Sequence, residues 1–332
     1  MNKNQGHHVV PKSYLNQWRG FDNQLQLFTH DDGRFFKRGS DWTGFKRKNY
    51  NIYQDENNFY LPEQITEKVD AQAIEVIRSI SFNQPLTGYE RSVIATAVAL
   101  QYMRTPRFRA ESDLMLEAQF KEPFLEHQRK RTDEDLIKLK QEIVSEKPET
   151  SRDSLAIEEI IKMTDQEFID SYRDFIMGDN SRLGLNTFGH SKFIFKVPEK
   201  AEGIFRFLWL VYKAPKDSSF ITSDNPCFAV PKEESDFGVG LFSPNGLIIF
   251  PLRPDLCLII CPGTKACDEV YKKLSKSLTK EINQLIVKHS YDVVVGGGNT
   301  THLESLLKNY SHKKTKEVSV KDSGDYKLIA LK

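Results

Sequence analysis

The spacing of apolar residues changes about halfway along the chain. In the first half, apolar residues recur every three or four positions, which is typical of helices with one buried face. This pattern predicts helices over residues 62–80 and 88–105, and the side chains of Thr87 and Glu90 can form a capping box at the start of the second. Beyond residue 193, short apolar runs between turn residues predict strands. We therefore expect an α+β fold, with a mainly helical N-terminal half packed on a mixed or antiparallel sheet from the C-terminal half.

The same pattern gives an expected order of elements. Pro11 is expected to start a short helix that buries Tyr14 and Trp18, and a hairpin is expected to turn at Gly33. The remaining expected elements are a solvated hairpin or flexible insertion over 131–153, an amphipathic helix over 157–176, strands over 193–197, 203–213, 220–222, 246–250 and 256–261, and a long helix over 265–288. We expect one α+β domain over 1–332 with a charged helical insertion at about 108–178.

Composition narrows the class of protein. The 332 residues include 47 Lys and Arg against 46 Asp and Glu, so a nucleic-acid partner would need a local basic patch. The chain has no apolar run of about 18 residues and no apolar leader, so we expect neither membrane insertion nor export. The four cysteines are then expected to be reduced thiols, mostly small buried side chains, in a cytoplasmic protein.

Three blocks of polar residues provide the candidate chemistry. His7 and His8 precede Pro11, and histidine titrates near neutral pH and serves as general base, acid or metal ligand. A second block contains Gln101, Arg104 and Arg107 at the polar end of an apolar helix, and a third contains Asp224 and Asn225 after a strand. Tyr14 belongs to the first block.

These blocks carry a family resemblance. His-His-x-x-Pro-x-x-Tyr-Leu, Gln-Tyr-x-Arg-Thr-Pro, Thr-Ser-Asp-Asn-Pro and Phe-Pro-Leu-x-Pro, in this order, resemble a bacterial family called domain of unknown function 4238 over roughly residues 6–295. The resemblance implies that the blocks belong to one domain, and it implies no particular chemistry.

Each block has a functional and a structural interpretation. His7, His8 and Asp224 are the candidate catalytic residues, and the structural alternative is a helix cap and a buried hydrogen bond for the histidines. Arg104 and Arg107 are candidates for a phosphate clamp, because guanidinium binds phosphate bidentately, or for an ion pair with Asp224.

The remaining candidate residues are predicted to bind substrate. Tyr14, Gln101 and Asn225 are assigned this role, although Asp224 and Asn225 also suit a turn closed by side-chain-to-backbone bonds. Similarly, the glycines at 296–298 suit a turn or, alternatively, a phosphate cradle.

A second resemblance concerns the histidine block alone. His-His-x-x-Pro is similar to the opening of the ββα-metal nucleases, which would assign Asn23 and His30 to the site with a divalent metal. That fold requires a helix here, whereas the sequence predicts a hairpin.

A basic and aromatic patch provides a possible partner surface. Its cations are Lys37, Arg38, Lys46, Arg47 and Lys48, interleaved with aromatic residues that suit single-stranded nucleic acid, although a solvated loop gives the same composition.

We expect a hydrolase of phosphodiesters, RNA or DNA, with a histidine-centred site. The alternative is a non-catalytic ligand- or partner-binding protein of a stress or phage-defence system. Metal dependence and oligomeric state stay open.

Overall fold

The structure is a computed structural model. It describes residues 6–30, 33–39, 45–48, 53–54, 59–60, 62–145, 151–177, 193–233, 239–264, 268–297, 305–309, 318–322 and 327–331. The backbone of residues 6–8 and 46–48 is described, whereas their side chains are not.

The fold is α+β, as the sequence predicts. The α-helices include α1 (Lys12–Leu15), α2 (Pro62–Ser79), α3 (Gly88–Met103), α4 (Pro106–Arg129), α5 (Asp133–Ser145), α6 (Ser151–Lys162), α7 (Asp165–Met177), α8 (Val197–Phe205) and α9 (Lys276–His289), and residues 305–309 are also helical. The strands are β1 (Gly6–Val10), β2 (Leu25–Thr29), β3 (Phe35–Arg38), β4 (Phe45–Lys48), β5 (Tyr53–Gln54), β6 (Phe59–Tyr60), β7 (Leu208–Lys213), β8 (Thr222–Ser223), β9 (Phe228–Pro231), β10 (Gly246–Arg253), β11 (Leu256–Cys261), β12 (Glu269–Lys273), β13 (Val293–Gly296), β14 (Val318–Asp322) and β15 (Lys327–Leu331).

A five-stranded mixed sheet, in the order β12-β7-β11-β10-β9, comes entirely from the C-terminal half. Only the β12–β7 pair is parallel in this sheet. Because side chains alternate along a strand, Ile248 and Phe250 enter one core with α1, α2, α3 and α8, whereas Ile249 enters the other with α9. The sheet is therefore buried on both faces.

A second, antiparallel sheet joins the two ends of the chain. Its order is β3-β2-β13-β8, so the N-terminal hairpin pairs with strands from the C-terminal half. The hairpin is the one predicted around Gly33, which has a φ of 63°. Strand β1 forms a separate ribbon with β4.

The structure corrects several of the expected elements. In place of the strand expected over 193–197, Phe193–Lys196 form a 3₁₀ turn that leads into α8, where Pro198 lies in the first turn and favours a helix start. The expected long helix is strand β12 followed by α9, because the Ser275 hydroxyl accepts from Leu278 N–H and caps the helix there.

The third correction concerns the charged region. Residues 131–153 contain α5 and the start of α6, because Thr132 and Asp135 exchange side-chain-to-backbone bonds at the N-terminus of α5. A similar exchange between Thr164 and Glu167 starts α7, so the amphipathic helix expected over 157–176 is two helices.

The chain forms two compact units. Unit 1 comprises Met1–Ser112 and Leu185–Lys332, and unit 2 comprises Asp113–Gly184, with the division inside α4. Unit 2 overlaps the charged helical insertion predicted at about 108–178. Its described core includes Leu125, Leu136 and Phe168.

The structure bears on two expectations drawn from composition, the state of the cysteines and membrane insertion. Cys227, Cys257 and Cys261 are buried free thiols, as predicted, whereas Cys267 lies outside the described residues. In the part of the chain that the structure describes, no helix combines the length and apolar character needed to cross a membrane.

Candidate functional site

The histidine doublet lies on β1, directly opposite the basic strand β4. The register pairs His7 with Arg47 and His8 with Lys46, and it shifts between His8 and Val10. Such irregularities bend a strand and are common beside active sites. The catalytic interpretation of His7 and His8 concerns side chains that lie outside what the structure describes.

Gln101 connects the second block to the histidine strand. Its amide nitrogen donates to the Val9 carbonyl at 3.0 Å, at the point where the β1–β4 register shifts. Its amide oxygen accepts from the Arg104 guanidinium at 2.6 and 3.1 Å. Gln101 is buried, so its side chain is a structural link between α3 and β1.

Arg104 forms a buried bidentate pair with Asp70 of α2. Its two terminal nitrogens lie 2.8 and 2.7 Å from the two carboxylate oxygens, and 1% of its side chain is exposed. The expected ion pair with Asp224 is therefore wrong: the acidic partner is Asp70. Holding phosphate would require Arg104 to leave that partner. We call Asp70, Arg104, Gln101 and Val9 the β1 network.

Arg107 binds at the C-terminal end of α9. Its Nε lies 2.7 Å from Glu111, and a terminal nitrogen donates to the Lys288 carbonyl at 3.2 Å. A cation suits this position because the last carbonyls of a helix lack partners and carry partial negative charge. Arg107 therefore caps α9, and Asp224 is not its ionic partner.

Asp224 closes the turn that follows α9. Its carboxylate oxygens accept from the backbone N–H groups of Tyr291, Asp292 and Val293 at 2.7–3.2 Å. Burial raises the pKa of the Asp224 carboxyl to about 6, against the opposing effect of the N–H donors. Asp224 thus fixes the start of β13.

Asn225 binds the same helix end. Its amide nitrogen donates to the His289 carbonyl at 2.7 Å, and its backbone N–H donates to Ser223 Oγ at 3.1 Å. A local turn is therefore present, but the Ser223 hydroxyl closes it, whereas the predicted residues Asp224 and Asn225 bind backbone groups at the α9 end. We call Arg107, Asp224 and Asn225 the α9-end network.

Tyr14 connects the first block to the third block and to the Phe-Pro-Leu-x-Pro motif at residues 250–254. Its hydroxyl donates to the Pro251 carbonyl at 2.6 Å and lies 2.8 Å from Thr222 Oγ1. Burial raises the Tyr14 pKa well above its usual value, so the hydroxyl stays protonated. Gln17 adds a bond to the Leu252 carbonyl at 3.0 Å.

The blocks therefore converge, although not as one set of side chains. Gln101 contacts the histidine strand, Tyr14 reaches the strand before Asp224, and Arg107 and Asn225 cap the same helix. Arg104 and Asp224 belong to different networks. The model of a family described as "Protein of unknown function (DUF4238)" matches residues 6–299, which include all four blocks.

The chain belongs to this DUF4238 family. No curated protein and no solved structure matches it significantly. The resemblance noted from the four blocks is thus confirmed at the level of the family.

The ββα-metal nucleases require a helix after the histidine block, whereas the described residues 21–30 of this DUF4238 protein form a turn and strand β2. Asn23 lies in a turn with a φ of 55°, and His30 follows strand β2, in the hairpin that the sequence predicts. The His30 Nε2 atom lies 2.6 Å from Ser290 Oγ. Among the side chains that the structure describes, no group of three or more His, Cys, Asp or Glu residues is placed to hold a metal ion.

The glycine run has a packing explanation at one position. A Cβ on Gly297 would lie 2.2 Å from the Trp18 carbonyl oxygen, so this residue must lack a side chain for β13 to approach the first block. Gly296 is the last residue of β13, whereas residues 298–304, including Gly298, lie outside the described residues.

Sequence reasoning missed two acidic partners and one buried cation. Asp70 pairs with Arg104, and Arg91 pairs with Glu269 at 2.8 Å while its guanidinium lies 4.1 Å from the Trp209 ring centre. A charged residue in the otherwise apolar α3 was the signal for Arg91. Asp70 gave no comparable signal among the many acidic residues of the chain.

Proposed function

We propose that this DUF4238 protein is a phosphodiester hydrolase acting on RNA or DNA, with its reacting groups on β1. The observation that carries the proposal is the register of β1 with β4, which pairs His7 with Arg47 and His8 with Lys46. Opposite residues of an antiparallel pair have Cα atoms only about 4.5–5.5 Å apart. Two histidines and two permanent cations therefore share one short ribbon.

This combination suits phosphodiester hydrolysis. A neutral histidine takes a proton from an attacking water or hydroxyl, or ligates a divalent metal, and lysine and arginine stabilise charge that develops on phosphate. We assign His8 as general base or metal ligand, with His7 assisting. Lys46, the residue opposite His8 in the register, holds the phosphate.

The β1 network supplies rigidity to this ribbon. Gln101 holds the Val9 carbonyl next to His8, Arg104 orients Gln101, and Asp70 fixes Arg104. Catalytic groups work best when buried hydrogen bonds beneath them fix their position. Gln101 and Arg104 are therefore assigned as positioning residues, and contact with phosphate is left to Lys46 of β4.

The α9-end network receives a structural role in the proposal. Arg107, Asp224 and Asn225 bind backbone groups between Lys288 and Val293. Tyr14 has a similar role through Pro251 and Thr222. These residues support the core around the site and need not meet substrate.

The test is cleavage of end-labelled single-stranded RNA and DNA, with Mg²⁺ or Mn²⁺ and with chelator. We expect His8→Ala to lower turnover by about 10²–10⁴-fold, as loss of a general acid–base group does, with little change in melting temperature. His127→Ala is the control, because His127 is exposed in unit 2. Equal turnover by wild type and His8→Ala, or a loss that merely follows unfolding, contradicts the proposal.

One observation favours the second candidate, a non-catalytic binding protein of a stress or phage-defence system. Arg104, Arg107 and Asp224 are buried and engaged with protein groups. This candidate predicts saturable binding of a ligand without turnover in every metal condition, and the same binding by His8→Ala.

A further inference from the structure

Phe21 is a large aromatic residue that the fold does not bury. It lies in the turn between the first helical segment and β2, and its side chain is fully exposed. Burying a phenylalanine normally stabilises a fold, and full exposure forgoes that contribution. A single exposed apolar residue needs no explanation by itself. Phe21 differs from a scattered surface residue in its ordered turn and in the cations of the neighbouring strand.

The turn that carries Phe21 is braced on both sides. The Gly20 and Asn23 N–H groups donate to the Gln24 and Gly20 carbonyls, both at 2.9 Å. Arg19 spans the turn: its guanidinium donates to Asn16 Oδ1, to the Asn23 carbonyl and to the Gly39 carbonyl, at 2.8, 2.7 and 3.1 Å. The aromatic ring is therefore presented on an ordered support.

Cations of β3 lie next to this turn. Lys37 pairs with Asp22, the neighbour of Phe21, at 2.9 Å, and both side chains are about half exposed. Arg38 is exposed, and its guanidinium carbon lies 4.9 Å from the centre of the Phe36 ring. Among the described strands, β3 lies at the edge of its sheet.

We propose that Phe21, Lys37 and Arg38 form a platform for single-stranded nucleic acid. An unpaired base stacks on Phe21, and because Lys37 and Arg38 are consecutive on edge strand β3, each contacts a phosphate on its own face of that strand. Because Lys37 shares its charge with Asp22, Arg38 is the main phosphate contact. This inference rests on the proposed function in one respect, since it identifies single strands as the form of nucleic acid that reaches the site.

The polarity of the turn distinguishes nucleic acid from a lipid surface. Interfacial membrane binding requires an extended apolar face with several large side chains. Here Phe21 is followed by Asp22, Asn23 and Gln24. One aromatic ring beside cations instead matches base stacking combined with phosphate neutralisation.

The platform and the histidine ribbon belong to the same unit. Phe36 of β3 and Phe45 of β4 pack against one core, which includes Val9 and Trp18. Seven Cα steps separate Arg38 from Phe45 along the chain, so the two residues lie within about 25 Å of each other. A single strand of several nucleotides held at Phe21 is therefore long enough to reach β1 and β4.

The test is fluorescence anisotropy with a labelled oligonucleotide of about 12 nucleotides, within the roughly 4–16 nucleotide sites of single-strand-binding folds. The full chain carries His8→Ala so that the probe is not consumed. We expect Phe21→Ala to raise Kd about 5- to 150-fold, the effect of losing one stacked base, and Phe21→Trp to restore binding. Tyr89→Ala is the matched control, because Tyr89 is also exposed but lies at the start of α3.

Salt dependence separates stacking from charge. Arg38→Gln should lower the slope of log K against log salt by about 0.7, whereas Phe21→Ala should leave the slope unchanged. Equal Kd for the proteins with and without the Phe21→Ala change overturns the inference. So does binding to vesicles of phosphatidylglycerol and phosphatidylcholine without binding to the oligonucleotide.

The two proposals fail separately. Binding that depends on Phe21 without any cleavage by wild-type protein overturns the hydrolase alone. Cleavage that requires His8 but is indifferent to Phe21 overturns the platform alone.

Discussion

Two arginine–aspartate pairs, one in each unit, show how much burial changes the role of the same chemistry. In unit 1, Arg104 and Asp70 meet in a bidentate pair whose side chains are 1% and 13% exposed. In unit 2, Arg173 and Asp133 meet at 2.5 Å, with side chains 54% and 58% exposed. The first is part of a network that ends at the histidine strand, whereas water surrounds the second.

Contact distance alone does not determine how much each of these pairs contributes to stability. A buried pair costs desolvation energy but cannot lose one partner without leaving an uncompensated charge, whereas an exposed pair is screened by solvent. The buried charges of unit 1 therefore specify structure around β1 and α9. The exposed charges of unit 2 mainly keep its helices solvated.

The largest expected effect is that of Arg104→Ala. This change leaves Asp70 buried without its cation and removes the orientation of Gln101, so we expect a loss of about 3–5 kcal/mol in the free energy of unfolding. Urea denaturation monitored by circular dichroism measures it. A loss below about 1 kcal/mol would mean that the buried pair of Arg104 stabilises the protein no more than the exposed pair of Arg173 does.

The next effect concerns pH and Asp224. Its pKa is about 6 when folded and near 3.9 when unfolded, so the unfolded state releases this proton first. The stabilisation it contributes is complete below about pH 4 and is lost as pH rises through about 6. We expect the stability difference between wild type and Asp224→Asn to change by on the order of 2–3 kcal/mol between pH 4 and 7.

Denaturation of both proteins at several pH values checks this expectation. Because the other titrating groups are common to both, the difference isolates Asp224. A difference that stays constant with pH would show that the N–H donors balance burial at this carboxyl, and one that favours wild type more at pH 7 than at pH 4 would show that they outweigh it.

Tyr14→Phe should have a smaller effect. It removes one hydroxyl but leaves the Pro251 carbonyl and the Thr222 hydroxyl buried, which costs about 1–3 kcal/mol. Thermal and urea unfolding measure the loss, and double substitution with Thr222→Val tests whether the two hydroxyls act together. Strict additivity of the two changes would argue against their hydrogen bond.

The smallest effect is predicted for Arg173→Ala in unit 2. Exposed ion pairs contribute about 0–1 kcal/mol, and salt weakens them further. Urea denaturation at low and high salt should show a small loss that disappears with salt. A loss as large as that of Arg104→Ala would mean that exposure does not separate the two pairs.

Local signals in the sequence predicted much of the fold. The Thr87–Glu90 capping box is present at α3, and the hairpin turns at Gly33 as expected, because both features are encoded within a few residues. The same local logic failed for α5: its cap uses Asp135 where the more familiar box has glutamate or glutamine.

Long-range partners were not predictable in this way. The 34-residue separation of Arg104 from Asp70 spans α2 and α3, and nothing in the spacing of charges distinguishes Asp70 from other acids. Strand β12 was hidden for a related reason. Its short run adjoins α9, and its pairing with β7 is parallel and distant in sequence.

The candidate site was predicted as a set of residues, but their roles came from geometry. The sequence pointed to Gln101, Arg104, Arg107, Asp224 and Asn225 as polar groups with specific partners. Most of those partners are backbone groups of β1 and of the α9 end. Which backbone atoms a side chain reaches depends on packing that no motif records.

The β1 network should hold the histidine strand in place. Native-state hydrogen exchange of a peptide covering residues 6–10, in wild type and Gln101→Ala, tests it most directly. Loss of the bond to Val9 should lower the free energy of local opening by about 1–3 kcal/mol and accelerate exchange at residues 6–10 about 5- to 150-fold, while exchange in α9 stays unchanged. Equal exchange at residues 6–10 in both proteins, or acceleration spread uniformly over unit 1, would contradict the claim.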